Sequence, residues 1–242
     1  MDYQALEGAR IKGLYKEELC APQPCGIGSL NRMMQQVTEH AMERLGISIE
    51  ELQASELIWV ICFSQIDITR MPRDGEMLVM YSWPGAKKMG MFTRRYAAFT
   101  KDGEEIFTAA SLFSLVNEKT RVLVLPSDSG FILPLVTLVD EPKLPKLTAR
   151  GSEGEKETLH LVKAEEIDHN GHVNNAYYLD WAEEVLQEEA PGQAQDIRSI
   201  WIGYSKEILE GDTVAMRYAC SSPQLFLRGY VNGESCFNIV TK

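Results

Sequence analysis

The stretch "DHNGHVNNAYYLDWAEE" (168–184) sets a carboxylate, Asp168, an amide, Asn170, and two of the four histidines, His169 and His172, within five residues, with Asn174 and Asn175 just after. An unperturbed imidazole titrates near neutrality, so it can orient or deprotonate water. A neighbouring carboxylate can fix its tautomer. Val173, Tyr177, Trp181 and Val185 follow at four-residue steps, which predicts an amphipathic helix starting at the motif. Asn174 or Asn175 can cap its first turn. The open N–H groups and positive dipole end of that helix could then hold a carbonyl oxygen that becomes negative during attack. These parts suit hydrolysis of an activated acyl group. Taken alone, Asp168 and Asn170 would serve equally well as turn and cap residues, and His169 reads as an exposed or packing residue.

The elements around the motif form a repeat. "WVICFSQIDITRMPRDGEMLVMYSW" (59–83) aligns with "IRSIWIGYSKEILEGDTVAMRYA" (197–219), placing Gly75 on Gly211 and Glu76 on Asp212. Both copies read as strand, turn, strand. A helix precedes each copy: 29–46, with Ser29 as N-cap and Gly46 as stop, and 173–192, ended by Pro191-Gly192. Further strands are expected at 91–100, 104–117 and 121–126. Each half therefore reads as one long helix followed by antiparallel strands. A sheet wrapped around a central helix is a hotdog, so the fold class is α+β, a double hotdog. The expected divisions are an N-terminal hotdog (1–126), a crossover linker (127–156) with prolines 134, 142 and 145, and a C-terminal hotdog (157–242).

Composition narrows the function. With 242 residues, 45% hydrophobic and 24% charged, and a mean hydropathy of −0.19, the chain reads as a soluble globular protein with a substantial core. A net charge of −11 argues against general nucleic-acid binding. No apolar run reaches the ~20 residues of a membrane helix, and "MDYQALEGARIKGLYKEEL" lacks the apolar core of a signal peptide. The expected compartment is the cytoplasm, with the five cysteines reduced. Cys20 and Cys25 form the one close pair, with no second pair to complete a zinc site. No metal or cofactor is expected.

"DHNGHVNNAYYLDWAEE" resembles the "DxNxHVNN…Y…W…E" segment of acyl-acyl-carrier-protein thioesterases, the plant plastid enzymes and their bacterial relatives. "WVICFSQIDITRMPRDGE", "TRRYAAF", "SLFSLVNEKTRVLVLP", "KLPKL" (143–147) and "IGYSKEILEGD" (202–212) resemble family segments in the same order. The resemblance implies two hotdog halves, with the catalytic set Asp168, Asn170, His172 and Glu207 in the second and much of the acyl pocket in the first. Where the plant enzymes carry a cysteine, this chain has Ile208, so a water-based mechanism is expected. Either Asp168 or Glu207 could be the base.

Methionines are concentrated in the first half, and flexible thioethers suit an alkyl tunnel as well as an ordinary core. Met33, Met34 and Val37, with Asn174 and Asn175, are the candidate acyl-binding residues. Between residues 70 and 101, seven basic residues stand against Asp74 and Glu76. Lys87, Lys88, Arg94 and Arg95 are the candidate docking cations for acyl carrier protein, which is strongly acidic. A homodimer is left open. Two other readings compete. A hotdog acyl-CoA thioesterase or dehydratase more often builds its site across a dimer of single hotdogs. A non-catalytic acyl-binding protein could lose the polar set, which this chain keeps.

Overall fold

The structure, a computed structural model, describes residues 1–148, 154, 156–221 and 223–242. In the first half, α1 (Tyr3–Glu7) and β1 (Tyr15–Cys20) lead to the long helix α2 (Ile27–Arg44) and the short α3 (Ile49–Ala54). Then come β2 (Leu57–Ile68), β3 (Met77–Lys88), β4 (Met91–Thr100), β5 (Glu105–Asn117) and β6 (Leu123–Val124). The second half holds β7 (Lys156–Leu161), α4 (Tyr177–Glu189), β8 (Ser199–Tyr204), β9 (Thr213–Ser221), β10 (Gln224–Val231) and β11 (Glu234–Thr241). Gly75, Gly103 and Gly211 take φ of 69°, 89° and 81°, the left-handed backbone that their turns require.

The two sheets are continuous. Among the described residues the strands form one antiparallel sheet ordered β1-β3-β4-β5-β2-β8-β11-β10-β9-β7, with β6 paired to β5. The seam is β2 against β8, from Phe63↔Gly203 to Asp67↔Ser199. Each half thereby covers an edge that would otherwise present unpaired backbone groups. The sheet curls around both helices. Leu30, Met34 and Val37 of α2 and Leu179, Trp181 and Val185 of α4 share one core with Ile66, Ile202 and Phe237 of the strands.

The two helices meet closely. A Cβ on Gly28 of α2 would lie 1.9 Å from Asp180 Oδ1 and 3.1 Å from Ala176 O of the other half. Arg32 of α2 pairs with Asp180, and Ile27 N donates to Glu183 Oε2 of α4 at 2.8 Å. That carboxylate satisfies an otherwise orphaned amide of the first turn. It also helps explain why α2 starts at Ile27 and not after Ser29. Ser29 sits inside the helix, and its Oγ accepts from Gly26 N at 3.2 Å. The second helix starts later than its periodicity suggested. Val173 pairs with Ile167 in an isolated bridge, and the helix proper begins at Tyr177.

The described part of the linker, 127–148, contains no helix or strand and covers the outer face of the first half. Val136 packs with Leu6, Val79, Tyr81, Trp83 and Phe99, and its amide donates to Pro84 O at 3.1 Å. Covered on both faces, β4 is buried from Phe92 to Phe99. Residues 149–153 and 155, most of the polar "ARGSEGEK", lie outside the described residues.

Candidate active site

A tight loop positions the motif. Asp168 N donates to His172 O at 2.8 Å, Gly171 N to Asp168 O at 3.0 Å, and Gly171 takes φ 80°. The Asp168 carboxylate accepts from Asn170 N at 2.8 Å, so it shapes its own loop. The loop is anchored on both sides, because Val173 N donates to Ile208 O at 2.9 Å and Asn174 N to Glu166 O at 2.8 Å.

The carboxylate that meets the imidazole is Glu207. Its Oε2 lies 3.1 Å from His172 Nε2, and its other oxygen pairs with Arg121. Arg121 lies in the turn between β5 and β6, so the first half supplies a cation to the polar set of the second. The guanidinium pKa is held up by its hydrogen bond to Glu207. Sequence reasoning missed this residue, since nothing local in "KTRVL" marks a partner 86 positions away.

Asp168, Asn170, His172 and Glu207 line one cleft of about 1400 Å³, with Ile61 and Arg121 on its N-terminal side. A second cleft of about 1190 Å³ shares Asp168 and Asn170 and runs toward Met34, Thr38 and Tyr96. The structure thus brings the four expected residues together where the halves meet. His169, exposed, also lines the second cleft.

Other expectations change. Asn174 spends its Oδ1 on Ala176 N at 2.9 Å and its carbonyl on Tyr177 N at 3.0 Å. Those two amides therefore do not point at a ligand. Asn175 O accepts from Asn31 Nδ2 at 3.0 Å and from Tyr204 OH at 3.1 Å, a second tie between the halves. Met34, Asn174 and Asn175 line the second cleft, whereas Met33 and Val37 are buried in the core. Ile208 is fully buried and offers no nucleophile.

The docking set divides. Arg94 and Arg95 point to opposite faces, as neighbours on a strand must, but both faces are covered and the residues are 3% and 8% exposed. Arg94 lies toward α2, donating to Ser82 Oγ at 2.9 Å. Arg95 lies toward the linker, 3.1 Å from Glu141 and donating to Pro142 O at 3.2 Å. Neither can meet a carrier protein. Lys87 is exposed and Lys88 half-buried.

Family models match both halves: the acyl-ACP thioesterase N-terminal domain over residues 22–128 and its C-terminal domain over 150–233. The chain belongs to the acyl-ACP thioesterase family. A palmitoyl-acyl carrier protein thioesterase, chloroplastic, of Cuphea hookeriana is 26% identical over 207 residues, covering 78% of this chain and 49% of the relative. The chain spans about half the length of the curated relatives it matches. The fold is shared with an acyl-ACP thioesterase of Bacteroides thetaiotaomicron (TM-score 0.76, 21% identity, 94% and 96% of the two chains). It is shared too with the 12:0-ACP thioesterase of Umbellularia californica (0.76, 20%, 95% and 96%). Within this family fold, no helix among the described residues is long and apolar enough to cross a membrane.

Proposed function

We propose that the protein hydrolyses the thioester of fatty acyl-acyl carrier protein and releases the free fatty acid. The observation that carries this reading is the His172–Glu207 contact of 3.1 Å in a cleft that also holds Asn170 and adjoins the space beside Met34. Water held by His172 adds to the thioester carbonyl carbon, giving up its proton to the His172–Glu207 pair. Asn170, whose side chain faces the cleft, donates to the carbonyl oxygen as charge develops there. The C–S bond then breaks, the acyl group leaves as a carboxylic acid, and the proton returns to the thiolate. Asp168 contributes by fixing the loop. Glu207, in direct contact with the imidazole, is the better placed of the two carboxylates to act as base.

Steady-state hydrolysis of a ladder of acyl-carrier-protein thioesters, with matched acyl-CoAs alongside, tests the reading. His172→Ala and Asn170→Ala should each lower kcat by ~10²-fold or more, the usual scale for losing an acid–base or oxyanion group. Both residues lie in a surface loop, so melting temperatures should hold. Near-wild-type turnover in either variant removes that residue from the mechanism. Absence of turnover on every thioester removes the activity.

A further inference from the structure

Beneath α2 the fold buries polar groups where an alkyl pocket calls for hydrocarbon. Arg94 is 3% exposed, and Ser82, Ser111 and Tyr96 are buried at 1% or less. The Arg94 guanidinium donates to Ser82 Oγ at 2.9 Å and contacts Met42 Sδ at 2.8 Å. Among the described residues it has no carboxylate partner. Tyr96 OH bonds Thr38 Oγ1 at 2.8 Å, and Ser111 Oγ bonds Ser64 Oγ at 2.7 Å. Burial pushes the arginine pKa down and the tyrosine pKa up. A buried cation without an anion is costly and is uncommon without a compensating partner.

Arg94, Thr38 and Thr93 line a chamber of about 350 Å³ whose remaining walls include Trp59, Phe92 and Phe113. Thr38, Trp59 and Phe113 also border the cleft that holds Asp168 and Asn170. An acyl chain that enters from the catalytic loop and runs along α2 passes Tyr96 and Ser111 before it reaches the guanidinium.

We propose that this chamber selects acyl chains that carry a hydrogen-bond-accepting oxygen remote from the thioester, which Arg94 receives. A carboxylate supplies the missing anion, and a hydroxyl supplies a neutral acceptor to the same donors. Site groups that bond a substrate oxygen are left unpaired by the plain hydrocarbon analogue, which sets the direction of the selectivity. The inference rests on the thioesterase reading for its route into the chamber, but binding tests it separately.

The test compares plain, terminally hydroxylated and terminally carboxylated acyl-carrier-protein thioesters of matched length on the intact protein. It also measures the affinities of the corresponding free acids by calorimetry. The expected result is a preference of about ten-fold or more for an oxygenated chain over the plain one in both measurements. Arg94→Met should abolish that preference, and Arg94→Lys should retain part of it. If wild-type protein binds and cleaves plain chains as well as oxygenated ones at every length, the proposal is overturned, whether or not the variants fold. A preference that survives Arg94→Met also overturns it. Selective binding of oxygenated acids without turnover of any thioester would sink the hydrolase reading and leave the chamber assignment standing.

Discussion

Glu207 is shared by two partners that lie on different halves of the chain. His172 takes one carboxylate oxygen at 3.1 Å, and Arg121 takes the other. An exposed ion pair contributes little to stability by itself, so the value of Arg121 lies in where it holds the carboxylate. Replacing Arg121 with Gln frees Glu207 to rotate away from the imidazole. We expect kcat to fall about ten-fold, within the range for disturbing an acid–base pair, with KM nearly unchanged and Arg121→Lys recovering part of the loss. Steady-state kinetics on the three proteins checks this, and an equal fall in every thermal and kinetic parameter would mark Arg121 as merely structural. The polar set itself was legible because it is local: Asp168, Asn170 and His172 fall within five residues. The Arg121 contact was not, because it depends on a turn in the other half.

At the scale of elements, Glu166 shows how the loop is held against α4. It is 5% exposed. Burial alone would raise its carboxyl pKa, but bonds from His160 Nε2 at 2.9 Å, Lys163 N at 2.8 Å and Trp181 Nε1 at 2.8 Å bring it below the ordinary value. A lowered folded-state pKa gives stability that is fully present above the unfolded value, about pH 4.3, and lost as pH falls through the folded one. Glu166→Gln should therefore melt lower than wild type at neutral pH, by ~1–3 kcal/mol for a disrupted buried network. The gap should close as pH falls below about 4. Thermal melts of both proteins across that range decide it, and a gap independent of pH would refute the charge-based account. Element existence was readable where a pattern was strong. Strand β4 runs from Met91 to Thr100 as its apolar run and flanking turns suggested. The start of α2 was not readable, because Glu183 of another helix satisfies Ile27 N. The burial of Arg94 and Arg95 escaped for a similar reason: their covers, α2 and the irregular linker, arrive from elsewhere in the chain.

Across the whole molecule, the charge of −11 repels an acidic carrier unless a local cationic surface offsets it. With Arg94 and Arg95 buried, Lys87 and Lys88 at the β3–β4 turn remain from the expected set. Lys87 is only loosely held, donating to Pro126 O at 3.4 Å and lying 5.4 Å from the centre of the Phe92 ring. Reversing both lysines to Glu should lower kcat/KM for acyl-carrier-protein substrates more than for acyl-CoA, most at low salt where screening is weakest. A donor ratio that matches wild type at every ionic strength would leave that turn as solvated surface. Reversing Arg94 or Arg95 should instead unfold the protein, since it would bury an unpaired carboxylate beneath a covered sheet.

The plugged first turn of α2 has a consequence for counting. A duplicated fold creates two helix starts. In this chain Glu183, an internal anion, satisfies Ile27 N at 2.8 Å in one, and the residues there are Pro24-Cys25-Gly26, with no imidazole or amide. Duplication has left one working copy and one scaffold copy. The stoichiometry should therefore be one acyl group bound and turned over per 27.3 kDa polypeptide, where two equivalent halves would give two. Active-site titration with a slowly hydrolysed thioester analogue should saturate at a single equivalent.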